Sequence, residues 1–234
     1  MIKKLILLGF ITLSTMAEQK VHREGTEWCD IWIPKATDQN LPRVLLVGDS
    51  ITKGYYNTVE KSLAGKANCA RFATSACVSD PAFFAQLETM FNHYEYEVVH
   101  FNNGLHGFGY TEQEYQEAYE RALGVIWANA PEVKLILALS TPLLETSKQN
   151  NLNPRINERN RIVRELAKKY GAEVNDLHAI SIGRPEYYSD PYHYKPVATE
   201  LQGRQVGKFI EKTLRNTAGS IWPLSFVPRE AKVL

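Results

Sequence analysis

Short apolar runs recur along the chain between residues 42 and 175, and the intervals between them are long enough to hold helices. The first run, Val44–Val47, lies between Pro42 and a glycine, which is typical of a buried strand. The remaining runs, the last of them short, predict four further strands: Cys69–Ala73, Val98–Phe101, Val133–Leu139 and Ala172–Val174.

The polar residues at the ends of the intervening segments predict helices. Asp80 followed by proline is typical of a helix start, and Thr111 with Glu114 forms a Thr-x-x-Glu capping box. Gly171 suits the left-handed end of a helix. The predicted helices span residues 81–94, 111–130, 154–170 and 197–214.

Strands that alternate with helices of this length favour a parallel sheet with helices on both faces. We therefore predict a single three-layer α/β/α domain over residues 42–215, with about five parallel strands in flavodoxin-like order. A chain of 234 residues has room for one sizeable domain of this kind. We expect residues 18–41 to be irregular and residues 216–234 to form a C-terminal tail packed on the domain.

The N-terminus has a different pattern from the rest of the chain. A basic start with Lys3 and Lys4 precedes an apolar stretch from Leu5 to Leu13, and Thr15-Met16-Ala17 follows as a small-residue cleavage pattern. This layout is typical of a secretory signal peptide, and its apolar stretch is too short to span a bilayer. We expect cleavage after Ala17 and a secreted or periplasmic protein; a buried N-terminal helix is the alternative.

Composition narrows the class of protein. The net charge of +1 gives no electrostatic indication of binding to nucleic acid or to an anionic membrane. No Gly-x-Gly-x-x-Gly or Walker-type loop follows the first predicted strand, which argues against a nucleotide-binding protein. Cys29, Cys69 and Cys77 contain no Cys-x-x-Cys pair, so no zinc site is expected. The three would allow one disulfide. The sequence does not indicate an oligomeric state.

One serine stands at the carboxyl end of the first predicted strand, within Gly48-Asp49-Ser50. A serine on a tight turn between a strand and a helix has an exposed hydroxyl, and the N–H groups of the next turn point toward the atom it attacks. Ligands of such sheets also bind at this edge. Ser50 is therefore a candidate nucleophile for acyl transfer.

A serine hydroxyl needs a base to take its proton, and the base works better when a carboxylate orients it. His193 follows Asp190 by three residues in Ser189-Asp190-Pro191-Tyr192-His193, a spacing that places both side chains on one face of a turn. Asp176-Leu177-His178 is a less favoured competitor, because its spacing would point the two side chains apart in an extended chain. The structural alternative for Asp190 and His193 is a capping aspartate and a solvated histidine.

Together, Gly48-Asp49-Ser50 and Asp190-x-x-His193 resemble the SGNH/GDSL hydrolase superfamily over roughly residues 42–215. The resemblance implies that Ser50 is the nucleophile, His193 the general base and Asp190 its partner. It implies a serine esterase or lipase that acts on acyl esters, often of acetylated carbohydrates, without a metal or cofactor.

The resemblance also implies an oxyanion hole, although the middle of the chain departs from the family pattern. Ser79 stands where the family has a glycine whose backbone N–H is a donor, and a backbone donor survives a change of side chain. His106 stands where the family has asparagine. An imidazole N–H can take over that role, and the amide of Asn103 or Asn102 is the alternative. The backbone N–H of Ser50 completes the expected set of donors.

We therefore expect a secreted serine esterase that acts on acyl esters of small molecules or glycans, with O-acetyl groups on carbohydrate favoured. Aromatic rings stack well on sugar faces, although each candidate is more often a packing residue, and the segment before the first strand could shape the acyl pocket. These aromatic candidates are Trp28, Trp32, Phe108 and Tyr110. The alternatives are a thioesterase or lysophospholipase, and a non-catalytic glycan-binding module on the same scaffold.

Overall fold

The computed structural model of the protein describes residues 20–218. The predicted signal peptide, residues 1–17, lies outside these residues, as does most of the predicted C-terminal tail. None of the helices between residues 20 and 218 is both long and apolar enough to cross a membrane.

A six-stranded sheet forms the centre of the protein. Its strands are β1 (Cys29–Trp32), β2 (Arg43–Gly48), β3 (Asn68–Thr74), β4 (Val98–Phe101), β5 (Lys134–Ala138) and β6 (Glu173–Asn175). Their spatial order is β1-β3-β2-β4-β5-β6, in which β1 is antiparallel to β3 and all other neighbours are parallel. The five parallel strands therefore have the flavodoxin-like order that the sequence predicts.

The edge strand β1 is absent from the sequence prediction. It lies within residues 18–41, so this segment is not irregular throughout. Its four residues are mostly exposed and show no alternation of apolar and polar side chains. Pairing with the edge of β3, rather than a local pattern, makes this segment a strand.

Helices cover both faces of the sheet and complete the three expected layers. They are α1 (Ser50–Ser62), α2 (Pro81–Phe91), α3 (Glu112–Asn129), α4 (Asn153–Tyr170), α5 (His178–Ser181) and α6 (Pro196–Ala218). One apolar cluster packs α2, α3 and α4 on one face, and a second packs α1 and α6 on the other. Two short 3₁₀ helices, Lys148–Leu152 and Pro185–Tyr187, precede α4 and α6.

The predicted helix boundaries hold where a specific cap fixes them. The capping box of Thr111 and Glu114 is formed, and Gly171 ends α4 with a left-handed φ of 67°. Without such a signal the boundaries shift: α2 ends at Phe91 rather than at residue 94, and α6 continues to Ala218. The predicted domain end at residue 215 therefore falls inside the last helix.

Candidate active site

Ser50 is the first residue of α1 and follows the turn that leaves β2. Asp49 caps this helix, since its Oδ1 accepts the N–H of Ile51 at 2.9 Å. Gly48 makes the turn possible, because a Cβ there would lie 2.0 Å from the Thr52 hydroxyl oxygen. The N–H of Ser50 stands outside the intrahelical ladder, as the first N–H groups of any helix do. Both its hydroxyl and its N–H are thus at the carboxyl edge of the sheet.

The loop before α6 brings a histidine and an aspartate to this serine. The Nε2 of His193 lies 2.9 Å from the Oγ of Ser50, and its Nδ1 lies 2.9 Å from the Oδ2 of Asp190. The second carboxylate oxygen of Asp190 accepts the backbone N–H groups of Tyr192 and His193, each at 2.8 Å. One short loop therefore fixes both the carboxylate and the ring beside the hydroxyl of a residue 143 positions away.

Backbone contacts close this loop on itself and attach it to a neighbouring segment. The N–H of Ser189 donates to the carbonyl of His193 at 2.9 Å, and an isolated bridge joins Tyr188 to Tyr194. The N–H of Leu144 donates to the carbonyl of Pro191 at 3.0 Å. The loop is therefore attached to the segment that follows β5, another strand whose carboxyl end reaches this edge.

Asp190 is ionised in this setting. Partial burial raises the pKa of its carboxyl, but the N–H groups of Tyr192 and His193 and the adjacent imidazole outweigh burial, so the pKa lies below its usual value. The side chains of His193 and Asp190 are 47% and 46% exposed. The site is therefore open to solvent.

In the competing pair, Asp176 and His178, the aspartate has a structural role. Asp176 accepts the N–H of Ala179 at 3.0 Å and pairs with Arg164 at 2.6 Å. Its carboxylate is used to start α5 and to join that helix to α4. Of the two candidate pairs, only the one at Asp190 and His193 lies against Ser50.

The expected oxyanion donors after β3 and β4 are not equally available. The N–H of Ser79 donates to the Sγ of Cys77 at 3.3 Å. Asn103 is buried: its Oδ1 accepts the N–H of Val78 at 2.9 Å, and its Nδ2 donates to the carbonyl of Ala76 at 3.2 Å. Its side chain thus braces the loop after β3, which disfavours it as a donor to substrate.

Asn102 is braced in the same way, whereas His106 is not. The Nδ2 of Asn102 donates to the carbonyl of Ala138 at 2.8 Å and joins β4 to β5. The Nδ1 of His106 lies 2.7 Å from an oxygen of Glu24, and no partner for its Nε2 is found among residues 20–218. Among the predicted side-chain donors, His106 is therefore the available one.

A buried arginine fixes the turn that carries His106. The guanidinium of Arg159 donates to the carbonyls of Gly104, His106 and Gly107 at 3.1, 2.6 and 3.1 Å. Gly107 has a φ of +69°, and a Cβ there would lie 2.2 Å from the Sγ of Cys77. Sequence reasoning missed Arg159, although its place on the apolar stripe of α4, beside Ile156 and Val163, was an available signal.

Residues 22–28, here called the N-terminal strap, cross the carboxyl edge of the sheet. The Nε of Arg23 lies 3.0 Å from the carboxylate of Asp80, and Glu27 accepts the hydroxyl of Ser75 at 2.6 Å. Glu24 lies between these anchors, against His106. The strap therefore packs on the loops after β3 and β4, which carry the candidate oxyanion donors.

The aromatic residues proposed to bind sugar lie in different places. Trp32 lies on β1 opposite Arg71 of β3, away from the carboxyl edge, and Tyr110 is buried. Neither ring can therefore bind a sugar at the carboxyl edge. Trp28 is partly buried at the edge, with the amine of Lys53 5.8 Å from its ring centre. Phe108 packs under the guanidinium of Arg159. Only Trp28 and Phe108 stay near the site.

All three cysteines are free in the described structure. Cys69 and Cys77 are buried and Cys29 is exposed. Cys69 and Cys77 therefore act as small buried apolar residues near the sheet.

Solved structures with this arrangement of strands and helices include several esterases. A GDSL-like lipase from Bacteroides thetaiotaomicron is 17% identical, with a TM-score of 0.59 over 73% of this chain and 88% of that one. The fold is that of the SGNH hydrolases. A carbohydrate acetylesterase family member from Sinorhizobium meliloti is 18% identical, with a TM-score of 0.61 over 74% and 99%.

A third structure extends the likeness to fungi. A carbohydrate esterase family 3 protein from Talaromyces cellulolyticus is 14% identical, with a TM-score of 0.61 over 75% of this chain and 99% of that one. No protein-family model matches the sequence, and no curated protein matches it. At these identities the likeness establishes the shared fold, which confirms the fold that the two end motifs imply.

Proposed function

We propose that the protein is a serine esterase that hydrolyses acyl esters through an acyl-enzyme intermediate. The observation that carries this proposal is the chain of contacts from Ser50 Oγ to His193 Nε2 and from His193 Nδ1 to Asp190, each 2.9 Å long. A nucleophile, a base and an orienting carboxylate in this geometry are the requirements of acyl transfer. The esterases that share the fold support the same reaction class.

The reaction follows from the contacts. The Asp190 carboxylate holds the proton of His193 on Nδ1, so Nε2 is free to take the hydroxyl proton as Ser50 attacks the ester carbonyl. In this proposal, the backbone N–H of Ser50 and the ring of His106 stabilise the oxyanion. The N–H of Ser79 contributes only if it exchanges the weak Cys77 acceptor for the oxyanion. His193 then protonates the leaving alcohol, and water activated by the same ring releases the acid.

We propose O-acetyl groups on carbohydrate as the substrate class. The openness of the site around His193 suits an acyl group carried on a bulky alcohol. Trp28 at the rim offers a ring face of the kind that packs on sugars. Two of the proteins that share the fold are described as carbohydrate esterases, one of them an acetylesterase.

The test compares Ser50→Ala with Ser62→Ala, which changes the exposed serine near the other end of the same helix. With p-nitrophenyl acetate, Ser50→Ala should lose roughly 10⁴- to 10⁶-fold in kcat, whereas Ser62→Ala should keep its activity. A fluorophosphonate probe should label the parent protein and Ser62→Ala, but not Ser50→Ala. Full activity or full labelling of Ser50→Ala would remove this residue from the nucleophile role.

The substrate preference of the purified parent protein distinguishes between the alternative functions. Preference for acetate over long acyl chains, with acetate released from acetylated polysaccharides, supports the carbohydrate esterase. Preference for thioesters or lysophospholipids indicates the other acyl hydrolases. Glycan binding without probe labelling indicates a non-catalytic module.

Export is a separate proposal that rests on the sequence of residues 1–17. To test it, the full chain is expressed in bacteria, and the protein is sought in the periplasmic fraction and in the culture medium. The mass of the exported protein should correspond to a chain that starts at Glu18.

A further inference from the structure

A second histidine–carboxylate pair lies in the candidate site, outside the chain of contacts to Ser50. The Nδ1 of His106 is 2.7 Å from the Oε1 of Glu24, which belongs to the N-terminal strap. The side chain of His106 is only 15% exposed, whereas that of Glu24 is 46% exposed. The contact therefore joins a largely enclosed ring to a carboxylate at the rim.

The turn that carries this ring lies directly beside the nucleophile turn. The N–H of Asn102 donates to the carbonyl of Val47 at 3.0 Å, and a Cβ on Gly48 would lie 3.5 Å from the carbonyl oxygen of Asn102. His106 follows four residues later, on the turn that Arg159 holds. The segment that carries His106 therefore begins beside the nucleophile turn, and the charge of Asp49, the neighbour of Ser50, acts on the ring of His106.

The contact with Glu24 decides which nitrogen of His106 carries a proton. A carboxylate only accepts hydrogen bonds, so Nδ1 must be the donor. In a neutral ring, Nε2 would then be an acceptor with a lone pair, which would repel an oxyanion. Nε2 can donate to substrate only if the ring carries both protons.

The charges around His106 favour that doubly protonated ring. Burial lowers the pKa of His106, but the hydrogen bond to Glu24 and the charges of Asp49, Glu24 and Glu27 outweigh burial and raise the pKa above its usual value. The buried Oδ2 of Asp49 has no hydrogen-bond partner among the described residues. Arg159, on the carbonyl side of the turn, is the opposing cation.

We propose that Glu24 is a positioning residue that holds His106 as an imidazolium whose Nε2–H donates to the oxyanion formed at Ser50. This inference rests on the proposed esterase function and deepens it. It assigns opposite tasks to two histidines, because His193 must be neutral to accept a proton while His106 must be charged to donate a hydrogen bond. Activity should then fall at high pH as His106 loses its proton.

Kinetics against pH test the role of the carboxylate. In Glu24→Gln, the alkaline limb of kcat should move to lower pH by about 1 unit, because an adjacent opposite charge shifts a pKa by that order. Arg23→Ala is the matched control: it breaks the ion pair with Asp80 and loosens the same strap, but it leaves Glu24 charged. An equal shift in both variants would overturn the proposal, since strap packing alone would explain it.

Replacement of the ring gives the complementary test. His106→Asn supplies an amide donor that does not titrate, so the alkaline limb should disappear and Glu24→Gln should have no further effect in that background. An alkaline limb that persists in His106→Asn would overturn the assignment.

A readout without turnover separates this inference from the proposed function. Nitrogen-detected NMR titration of the imidazole of His106 in the whole protein should show both nitrogens protonated at neutral pH, and an earlier loss of one proton in Glu24→Gln. A neutral ring in the parent protein would overturn the inference even if Ser50 proves to be the nucleophile. Conversely, failure of Ser50→Ala to abolish activity would overturn the esterase proposal whatever the state of His106.

Discussion

His193 and His106 both hold a carboxylate against Nδ1, at 2.9 and 2.7 Å, but the chain assembles the two pairs in different ways. Asp190 lies three residues before His193 in one loop, whereas Glu24 and His106 are 82 residues apart. The loop pair is also the more exposed of the two. In the proposed mechanism, Nε2 of His193 accepts the proton of Ser50, whereas Nε2–H of His106 donates to the oxyanion. The same contact thus serves opposite tasks, depending on what surrounds the ring.

The largest effect should follow from disabling the local pair. Asp190→Asn should lower kcat by about 10⁴-fold, because an amide no longer selects the tautomer that leaves Nε2 free. Asp176→Asn is the matched control from the other Asp–His sequence, and its kcat should stay within about twofold. Steady-state kinetics on an acetyl ester measure both. Similar losses in the two variants would mean that Asp190 acts only through general stability.

Removal of the His106 ring should lower kcat by less than Asp190→Asn does. His106→Ala should lose about 10²- to 10³-fold in kcat, the usual effect of deleting one oxyanion donor. His178→Ala, which removes the histidine at the start of α5, is the control and should keep parental kcat. A loss below tenfold in His106→Ala would mean that the backbone donors suffice, and the comparison between the two rings would lose its catalytic meaning.

Two glycine substitutions test whether the turn around His106 is rigid, one in the turn and one in a helix elsewhere in the fold. Gly107→Ala should destabilise the protein by about 2–4 kcal/mol, since it adds left-handed strain and a clash with the Cys77 thiol. Gly124 lies within α3 with no atom near the position of a Cβ, so Gly124→Ala should stabilise by about 0.5–1 kcal/mol. Urea unfolding measures both. A neutral Gly107→Ala would show that the turn adapts and does not hold His106 rigidly.

The contrast between the pairs explains which parts of the site the sequence could predict. The Asp190 and His193 spacing is local, so turn geometry alone indicated that both side chains share a face. The place of Ser50 followed from a buried strand ending in glycine. Glu24, by contrast, is one of several acidic residues in a segment without periodicity, and only the packing of the strap on the loops after β3 and β4 brings it to His106.

The elements of the fold differ in the same way in how far the sequence predicts them. Strands β2 to β5 are largely buried and mostly apolar and could be predicted, as could the short strand β6 and the caps at Thr111 and Gly171. Strand β1 could not, because its exposed residues become a strand only by pairing with the edge of β3. The burial of Arg159 could be predicted from its place on the apolar stripe of α4, but its partners could not. A buried arginine needs several carbonyl partners, and Gly104, His106 and Gly107 lie on a distant turn.

The smallest expected effect is on the pH dependence of the free energy of unfolding, which the two histidine–carboxylate pairs should change in opposite directions. The pKa of Asp190 is lowered, so its stabilisation is complete above the ordinary value of 3.8 and is lost as the pH falls through the folded-state pKa. The pKa of His106 is raised, so its stabilisation is complete below the ordinary value of 6.5 and is lost as the pH rises through the folded-state pKa. Because both carboxylates are nearly half exposed, each contribution should be below about 1 kcal/mol.

Unfolding free energies from pH 3 to 9 for the parent, Asp190→Asn and Glu24→Gln measure these two contributions. The first variant should flatten only the acid side of the curve and the second only the alkaline side; a change on the same side in both would show that the two histidines do not differ in charge.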